Sequence, residues 1–297
     1  MDSRHLKQFV QLAETLHFGR AGEALGVSAS VLSRNIRQLE AELGSVLFDR
    51  DNRSVALTHA GSLFLDYART ALGEWDAIRS ELQKQSGELH GEISIWCSVT
   101  ASYSFLFELL SDFRSDHPQI EVKLHTGDPE HAISRVQNNS EDISIGARPD
   151  VLPAGLAFKP VAVSPLVFIA AKGHVDFPKP GKKRFSKEAW DETPMIMSES
   201  GLARRRLDEW FAGQELVPSI YAQVAGNEAI VSMVSLGFGV GVVPKIVLDN
   251  SPLADTVELL PVQPQLQAYE VGLFTLERKL RSPIIAAFWS AAGQGSA

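Results

Sequence analysis

The sequence predicts a mainly α-helical winged helix-turn-helix, a long helix, and then an α/β domain with two Rossmann-like lobes. Three observations support this fold class. Residues 3–43 carry apolar positions at helical spacing, interrupted by a tight turn. Residues 59–86 carry a long apolar stripe without proline. Beyond residue 91, short strand-like runs alternate with helical segments, which is typical of parallel sheets.

The N-terminal segment is predicted to contain three helices. The first spans 3–16 and the second, rich in small residues, spans 19–26. The third begins at Ser28, whose hydroxyl can accept a hydrogen bond from a free amide of the first turn. The apolar faces expected to form the core are Leu6, Phe9, Val10, Ala13 and Leu16 on the first helix, and Leu32, Ile36, Leu39 and Leu43 on the third.

Another face of the third helix is entirely polar. Ser30, Ser33, Arg34 and Arg37 repeat the helical spacing on that face. Hydroxyls near the start of a helix and arginines further along suit the DNA major groove, because arginine can grip guanine or phosphate with two hydrogen bonds. An amphipathic helix with a solvated polar face would show the same pattern, so the pattern leaves both interpretations open.

Residues 47–58 follow these helices as a predicted wing. They have a strand-like flank on each side of Asp51-Asn52, which are residue types that suit a tight turn. Arginines beside the tip of such a hairpin could reach backbone phosphates. The predicted DNA-binding residues are therefore Arg20, Ser28, Ser30, Ser33, Arg34, Arg37, Arg50 and Arg53.

The distribution of charge supports a DNA-binding N-terminus in an acidic protein. The first 58 residues hold seven Lys or Arg and seven Asp or Glu, so the remainder carries the whole net charge of −8.

The amino-acid composition of the chain is that of a soluble globular protein, with 44% hydrophobic and 22% charged residues. Because the sequence shows no signal peptide and no run of about 18 apolar residues, we expect a cytoplasmic protein without a membrane partner.

The long helix is predicted to carry a near-heptad stripe. Its members are Ala60, Phe64, Tyr67, Ala71, Trp75, Ile78 and Leu82. In a monomer the apolar side chains of this stripe would be exposed to solvent. We therefore expect a partner helix from a second copy of the chain, and hence a dimer. Packing against the C-terminal part of the same chain is the alternative.

The C-terminal part is predicted as two α/β lobes around a cleft. The first lobe has strands 92–98, 120–126 and 142–147, with helices 102–115 and 129–138 between them. The second has strands 164–171, 194–198, 219–224 and 238–243 with helices 202–213 and 227–236, before a strand at 268–275 and a helix at 282–291. Crossovers near 161–163 and 265–268 would join the lobes, and a ligand would lie beyond the carboxyl ends of the strands.

Enzymatic readings of the sequence fail on order and spacing. The glycines of GFGVG (237–241) follow a helix and open a strand, whereas a dinucleotide-binding loop follows a strand and opens a helix. The eight histidines show no paired metal spacing, and no GxSxG motif is present. The single cysteine, Cys97, excludes an intramolecular disulfide. We therefore expect no catalysis, no cofactor and no metal.

A transport-type solute-binding protein is the alternative to a DNA-binding protein with a ligand cleft. The predicted winged helix-turn-helix and long helix in the first 90 residues argue against that alternative.

The N-terminal stretch FGRAGEALGVSASVLSRNIRQLEAELGSVLFDRDNRSVALTHAG (18–61) resembles the LysR-type transcriptional regulators. The likeness covers the whole chain and extends to CSVTASYS (97–104), RRRLDEWF (204–211), GNEAIVSMVSLGFGVGVVP (226–244) and VLDNSP (247–252). Two departures stand out. Ala29 and Ser30 replace the Gln and Pro that follow the capping serine in many members, and Gly22 replaces the second alanine of a usual Ala-Ala pair.

The resemblance implies a domain plan and a set of partners. It implies a DNA-binding domain over 1–58, a linker and dimerisation helix over 59–88, and an effector-binding domain over 89–297 that resembles periplasmic solute-binding proteins. Lobe I would span about 89–162 and 267–297, and lobe II about 163–266. Double-stranded operator DNA, a homodimer or homotetramer, RNA polymerase and a small anionic effector are the implied partners.

The resemblance also implies the signal and the target. The family binds small carboxylates in the cleft, and this likeness implies activation of the acetohydroxy acid isomeroreductase gene of branched-chain amino acid synthesis by 2-acetolactate or 2-aceto-2-hydroxybutyrate. Another small carboxylate is the alternative effector. The positions of polar residues at predicted strand ends and helix starts indicate which ones bind this effector. The predicted effector-binding residues are Ser98, Thr100, Ser102, Thr126, Ser198, Ser200 and Arg204, with Arg205 and Arg206 as further cations in the same stretch.

Overall fold

The computed structural model describes residues 2–50, 54–83, 89–173 and 187–292. The chain divides into two compact units, one built mainly from residues up to Leu89 and the other from His90 onward. Each unit has its own core.

The first unit contains the predicted three helices, the wing and the long helix. Its elements are α1 (Ser3–Thr15), α2 (Phe18–Ala24), α3 (Ala29–Leu43), β1 (Phe48–Arg50), β2 (Val55–Leu57) and α4 (His59–Gln83). The strands β1 and β2 pair antiparallel, with Phe48 opposite Leu57. Ser28 caps α3 as predicted, because its hydroxyl accepts a hydrogen bond from the Val31 N–H at 3.3 Å.

An aromatic cluster forms the centre of this unit. The ring of Phe9 on α1 packs edge-on against Phe64 of α4, with centroids 4.8 Å apart, and lies 5.2 Å from the ring of Phe48 on β1.

The prediction of the core is wrong for two residues. Leu16 is the left-handed C-cap of α1 and Leu43 is the last residue of α3, and they are 43% and 41% exposed. The helical face of α1 is instead completed by Leu12, which is fully buried.

Two glycines permit close approach of backbones in this unit. A Cβ at Gly61 would lie 2.0 Å from the Leu47 carbonyl oxygen, so α4 begins in direct backbone contact with the wing. A Cβ at Gly22 would lie 2.6 Å from the Val27 carbonyl oxygen. The turn between α2 and α3 is therefore tighter here than an alanine at position 22 would allow.

The predicted stripe of α4 changes character along the helix. Phe64 is buried in the core of the first unit, whereas Tyr67, Trp75 and Ile78 are 52%, 57% and 59% exposed. The side chain of Leu82 and residues 84–88, which the predicted linker helix includes, lie outside the described residues. The exposed part of the stripe remains available for the predicted partner helix.

The second unit contains two mixed sheets. The first lies in lobe I and has the strand order β4-β3-β5-β12-β6, in which β4, β3 and β5 run parallel as predicted and β12 runs antiparallel to both neighbours. The strands are β3 (Gly91–Cys97), β4 (Ile120–Thr126), β5 (Ile143–Ala147), β6 (Leu156–Ser164) and β12 (Tyr269–Leu276). The helices around this sheet are α5 (Val99–Tyr103), α6 (Phe105–Asp116), α7 (Ala132–Gln137) and α12 (Pro283–Ala291).

The second sheet lies in lobe II. Its order is β11-β7-β10-β8-β9, with β10, β8 and β9 parallel and β7 antiparallel to both β10 and β11. The strands are β7 (Leu166–Ala171), β8 (Pro194–Ser198), β9 (Ser219–Val224), β10 (Val240–Pro244) and β11 (Val257–Leu259). The helices are α8 (Lys187–Glu192), α9 (Gly201–Gly213), α10 (Asn227–Ser235) and α11 (Lys245–Asp249).

The structure differs from the sequence pattern at two places that shape the cleft. The helix predicted over 102–115 is two helices that meet at Ser104, and the first of them begins at Val99. The pattern does not predict β6, because Lys159 and Pro160 interrupt its apolar run. An edge strand tolerates proline, and β6 lies at the edge of its sheet. Because β6 extends to Ser164 and β7 begins at Leu166, the first crossover falls at Pro165.

Candidate functional site

The polar face of α3 carries two unengaged cations. Arg34 and Arg37 are exposed, and neither forms a hydrogen bond or an ion pair with the described residues. The opposite face of the helix packs into the core of the first unit through Leu32, Ile36 and Leu39, which are each at most 1% exposed. The helix is thus held firmly while both guanidiniums stay available for an external anion.

The hydroxyls predicted on this face lie around the start of α3. Ser28 and Ser30 are exposed and hydrogen-bonded to each other, with their oxygens 3.0 Å apart, and Ser33 is half-buried one turn further on. Arg20 is exposed on α2 and donates to the Thr15 carbonyl oxygen at 2.9 Å. Ser28 therefore serves as cap as well as candidate phosphate contact.

Arg50 differs from Arg34 and Arg37, because a carboxylate inside the unit pairs with it. Its Nη2 lies 2.6 Å from Glu40 Oε2, and its guanidinium stands 5.4 Å from the centroid of the Phe18 ring. Glu40 Oε1 accepts the N–H groups of Leu47 and Phe48 at 2.9 and 3.2 Å. This network ties the wing to α3 and favours a structural role for Arg50. Arg53 lies outside the described residues.

A second polar contact that the sequence pattern does not reveal positions α3. Asn35 Nδ2 donates to Gln8 Oε1 at 2.9 Å, and Gln8 is only 3% exposed. A buried amide pair of this kind fixes the register between α1 and α3, because either partner alone would be left without its hydrogen bond.

A cavity of about 400 Å³ lies between the two lobes of the second unit. Four predicted residues line it, namely Ser98 and Thr100 from lobe I and Ser198 and Ser200 from lobe II. They stand where β3 and β8 end, as the parallel-sheet rule predicts. Ser102, Thr126 and Arg204 are not part of the lining: the Ser102 hydroxyl donates to the Val99 carbonyl oxygen, and Thr126 is exposed at the end of β4.

The three consecutive arginines of α9 have three different surroundings. Arg204 is held by both oxygens of Asp208 at 3.0 and 2.9 Å, and it also bonds the Ser198 carbonyl and Gln223. Arg206 is 7% exposed and donates to the carbonyls of residues 267 and 268 at 3.0 and 2.7 Å. Arg205 lines the cavity and forms no hydrogen bond or ion pair with the described residues. The cation available to a ligand is therefore Arg205.

Two carboxylates reach across the cleft from one lobe to the other. Glu228, in the first turn of α10, accepts the Thr100 N–H at 3.0 Å and the Thr100 hydroxyl at 2.6 Å, both on Oε1. Glu130 of lobe I accepts a hydrogen bond from the Ser200 hydroxyl of lobe II. Hydrogen bonds to charged groups are the stronger kind, contributing about 1.5–3 kcal/mol each.

The cavity is more acidic than the predicted serine and threonine residues suggest. Asp128 and Glu130 line it beside Arg205, and neither acid belongs to the predicted site. The sequence carries a weak signal for these acids, since Asp128 and Pro129 lie two and three residues after the end of β4. Gly226 and Asn227 open α10 in the corresponding place of lobe II.

Cys97 behaves as a buried apolar residue at the end of β3. Its side chain is fully buried, and burial raises the pKa of the thiol to about 12. Within the described residues, no group of three or more His, Cys, Asp and Glu side chains is placed to hold a metal ion. In the same part of the chain, no helix has both the length and the apolar character needed to span a bilayer.

The chain combines a winged helix-turn-helix with an α/β unit that has a ligand-sized cavity between its lobes. This combination is typical of ligand-responsive transcriptional regulators. The chain belongs to the LysR family of that class. The model for "Bacterial regulatory helix-turn-helix protein, lysR family" matches residues 3–62, and that for "LysR substrate binding domain" matches residues 86–297.

One relative is similar over nearly its whole length, and two solved structures share the fold. The HTH-type transcriptional activator IlvY of Salmonella typhimurium is 42% identical over 294 residues, which are 97% of this chain and 98% of that relative. A full-length OxyR variant from Pseudomonas aeruginosa matches with a TM-score of 0.74 at 23% identity, covering 99% of this chain and 95% of that one. Full-length CbnR in complex with its target DNA matches with a TM-score of 0.64 at 21% identity, covering 100% of both chains.

Proposed function

We propose that this regulator activates transcription of the acetohydroxy acid isomeroreductase gene in response to 2-acetolactate or 2-aceto-2-hydroxybutyrate. The observation that carries the proposal is the 42% identity to the activator IlvY over nearly the full length of both chains. The likeness includes the cavity-lining stretches 97–104 and 226–244, so it extends to the ligand-binding unit. The proposed target is chromosomal DNA, which gives the protein a cytoplasmic site of action.

The proposed DNA contact is the exposed face of α3 with the wing. Arg34 and Arg37 supply unengaged guanidiniums for base edges or phosphates, and the serines around Ser28 supply hydroxyls.

The proposed assembly is a dimer that forms through the exposed stripe of α4. Contacts between effector domains would join two dimers into a tetramer, and RNA polymerase would be the partner at the promoter. The domain limits of 1–58, 59–88 and 89–297 remain predictions.

The proposed effectors combine a carboxylate, a hydroxyl and a ketone. Arg205 is the unengaged cation of the cavity and suits the carboxylate. Ser98, Thr100, Ser198 and Ser200 place hydroxyls around the same space. Those of Thr100, Ser198 and Ser200 donate to protein oxygens in this structure, and they would have to turn from these acceptors to bind the remaining ligand oxygens. A cavity of about 400 Å³ is within the range of small-molecule sites.

A zwitterionic amino acid is a second candidate effector. Asp128 and Glu130 line the cavity, and their carboxylates would suit an ammonium group better than they suit a purely anionic ligand. The first candidate is preferred because the likeness to IlvY runs through the whole effector domain.

Calorimetry with the full-length protein tests the effector. We expect 2-acetolactate and 2-aceto-2-hydroxybutyrate to bind more tightly than pyruvate, 2-ketoisovalerate and valine. Arg205→Gln should weaken that binding by roughly 10-fold or more, because a charge-assisted hydrogen bond is replaced by a neutral one. Arg114→Gln is the matched control, since Arg114 is exposed on α6 and loses the same charge.

Footprinting on the upstream region of the isomeroreductase gene, with and without the effector, completes the test. An altered footprint or raised transcription with an acetohydroxy acid supports the proposal. Tighter binding of valine than of 2-acetolactate would move the assignment to the amino acid. A complete absence of heat across the series would leave the family membership intact and reject the proposed signal.

A further inference from the structure

The contact between Glu228 and Thr100 joins the two lobes at the edge of the cavity. The N–H and the hydroxyl of Thr100 both donate to the same oxygen of Glu228, at 3.0 and 2.6 Å. Thr100 lines the cavity and is only 2% exposed. The donors that Thr100 presents at this place are therefore occupied by a carboxylate of the protein itself.

Glu228 lies beside the cavity, in the first turn of α10. The two residues before it, Gly226 and Asn227, line the cavity. A carboxylate oxygen that accepts hydrogen bonds from two donors competes strongly with any other acceptor for those donors.

The same cavity contains an unengaged cation and further acids. Arg205 forms no hydrogen bond or ion pair with the described residues, whereas Asp128 and Glu130 add negative charge to the lining. An incoming ligand oxygen that needs the Thr100 donors must take them from Glu228. A ligand that also brings a carboxylate can gain the attraction of Arg205 as it does so.

We propose that Glu228 is an internal competitor of the effector and selects for anionic ligands. Its carboxylate holds the Thr100 donors and bridges the lobes, and the effector replaces it there and breaks that bridge. A neutral ligand lacks the interaction with Arg205 that offsets the loss, so it is excluded. This inference rests on the proposed function, because it takes the cavity as the effector site.

The experiment compares 2-acetolactate with its uncharged analogue acetoin in the full-length protein. Glu228→Gln keeps the shape of the side chain but replaces a charged acceptor by a neutral one. We expect this variant to bind 2-acetolactate about 10-fold more tightly than wild type, a change of about 1.4 kcal/mol. We also expect a measurable affinity for acetoin. Glu209→Gln is the matched control, since Glu209 is exposed on α9 in the same lobe and removes the same charge.

The outcomes separate this inference from the proposed function. Unchanged or weaker binding of 2-acetolactate by Glu228→Gln, with an unchanged Glu209→Gln control, would overturn the competitor role. If wild type gives no heat with 2-acetolactate, the effector assignment fails and amide hydrogen exchange decides the competitor role. Faster exchange at Thr100 in Glu228→Ala than in wild type then supports it. Equal exchange would show that Glu228 does not hold the Thr100 amide, and would overturn it.

Discussion

At the scale of single residues, the arginines of this protein divide into those that build it and those that are available to ligands. Arg50, Arg204 and Arg206 are each engaged by a carboxylate and by other groups of their own unit. Arg34, Arg37 and Arg205 have no such partners among the described residues. The three residues of the second group are the ones that we assign to DNA and effector.

This division predicts different defects for arginines of the same domain. Arg34→Ala should lower specific DNA affinity by roughly 1–3 kcal/mol if the guanidinium is bidentate to a base, and Arg37→Ala should also weaken binding. Both variants should melt like wild type. Arg50→Ala should lower the melting temperature, because it leaves the half-buried Glu40 without its cation.

Fluorescence anisotropy with operator DNA and thermal denaturation measure the two effects. Lys7→Ala serves as control, since Lys7 is exposed on α1 and removes the same charge from the same domain. Wild-type affinity in both Arg34→Ala and Arg37→Ala would contradict the assignment of α3 as the reading helix.

At the scale of elements, α4 is a helix with two roles along its length. Its start is part of the winged-helix core through Phe64 and the backbone contact at Gly61. Further along, Trp75 and Ile78 are more than half exposed, which is unusual for two large apolar side chains one turn apart. A second copy of the helix would bury them.

We therefore expect Trp75→Asp combined with Ile78→Asp to prevent dimerisation, because two carboxylates would have to be desolvated in the interface. Sedimentation velocity should show a monomer at concentrations where wild type associates. Gly73→Asp is the control on the same helix, where a side chain meets open space. Association of the double variant at the wild-type strength would exclude the stripe as the interface.

At the scale of the whole molecule, the two units must be coupled for the protein to regulate. A ligand shifts an equilibrium only by its differential affinity for the two states. If the effector changes DNA affinity by 10-fold, or about 1.4 kcal/mol, DNA must change effector affinity by the same factor.

Calorimetric titration of the effector in the presence and absence of saturating operator DNA tests this reciprocity. We expect the two effector dissociation constants to differ by the same factor by which the effector changes DNA affinity. Random-sequence DNA at equal concentration is the control. Identical constants, with an effector that still raises transcription, would indicate that the effector acts on DNA bending or on RNA polymerase contact and leaves DNA affinity unchanged.

The sequence by itself determined the elements whose signals are local. Helical spacing and the capping Ser28 predicted α3, and alternating strands and helices predicted the parallel parts of both sheets, because these signals lie within a few turns of chain. The edge strand β6 is not predicted by this reasoning. Its Pro160 is tolerated because, among the strands that the structure describes, none pairs on the far side of β6. Only the tertiary structure decided which of three adjacent arginines faces the cavity and that Glu228 reaches Thr100. Both depend on side chains that are far apart in the chain and are brought together by the packing of two lobes.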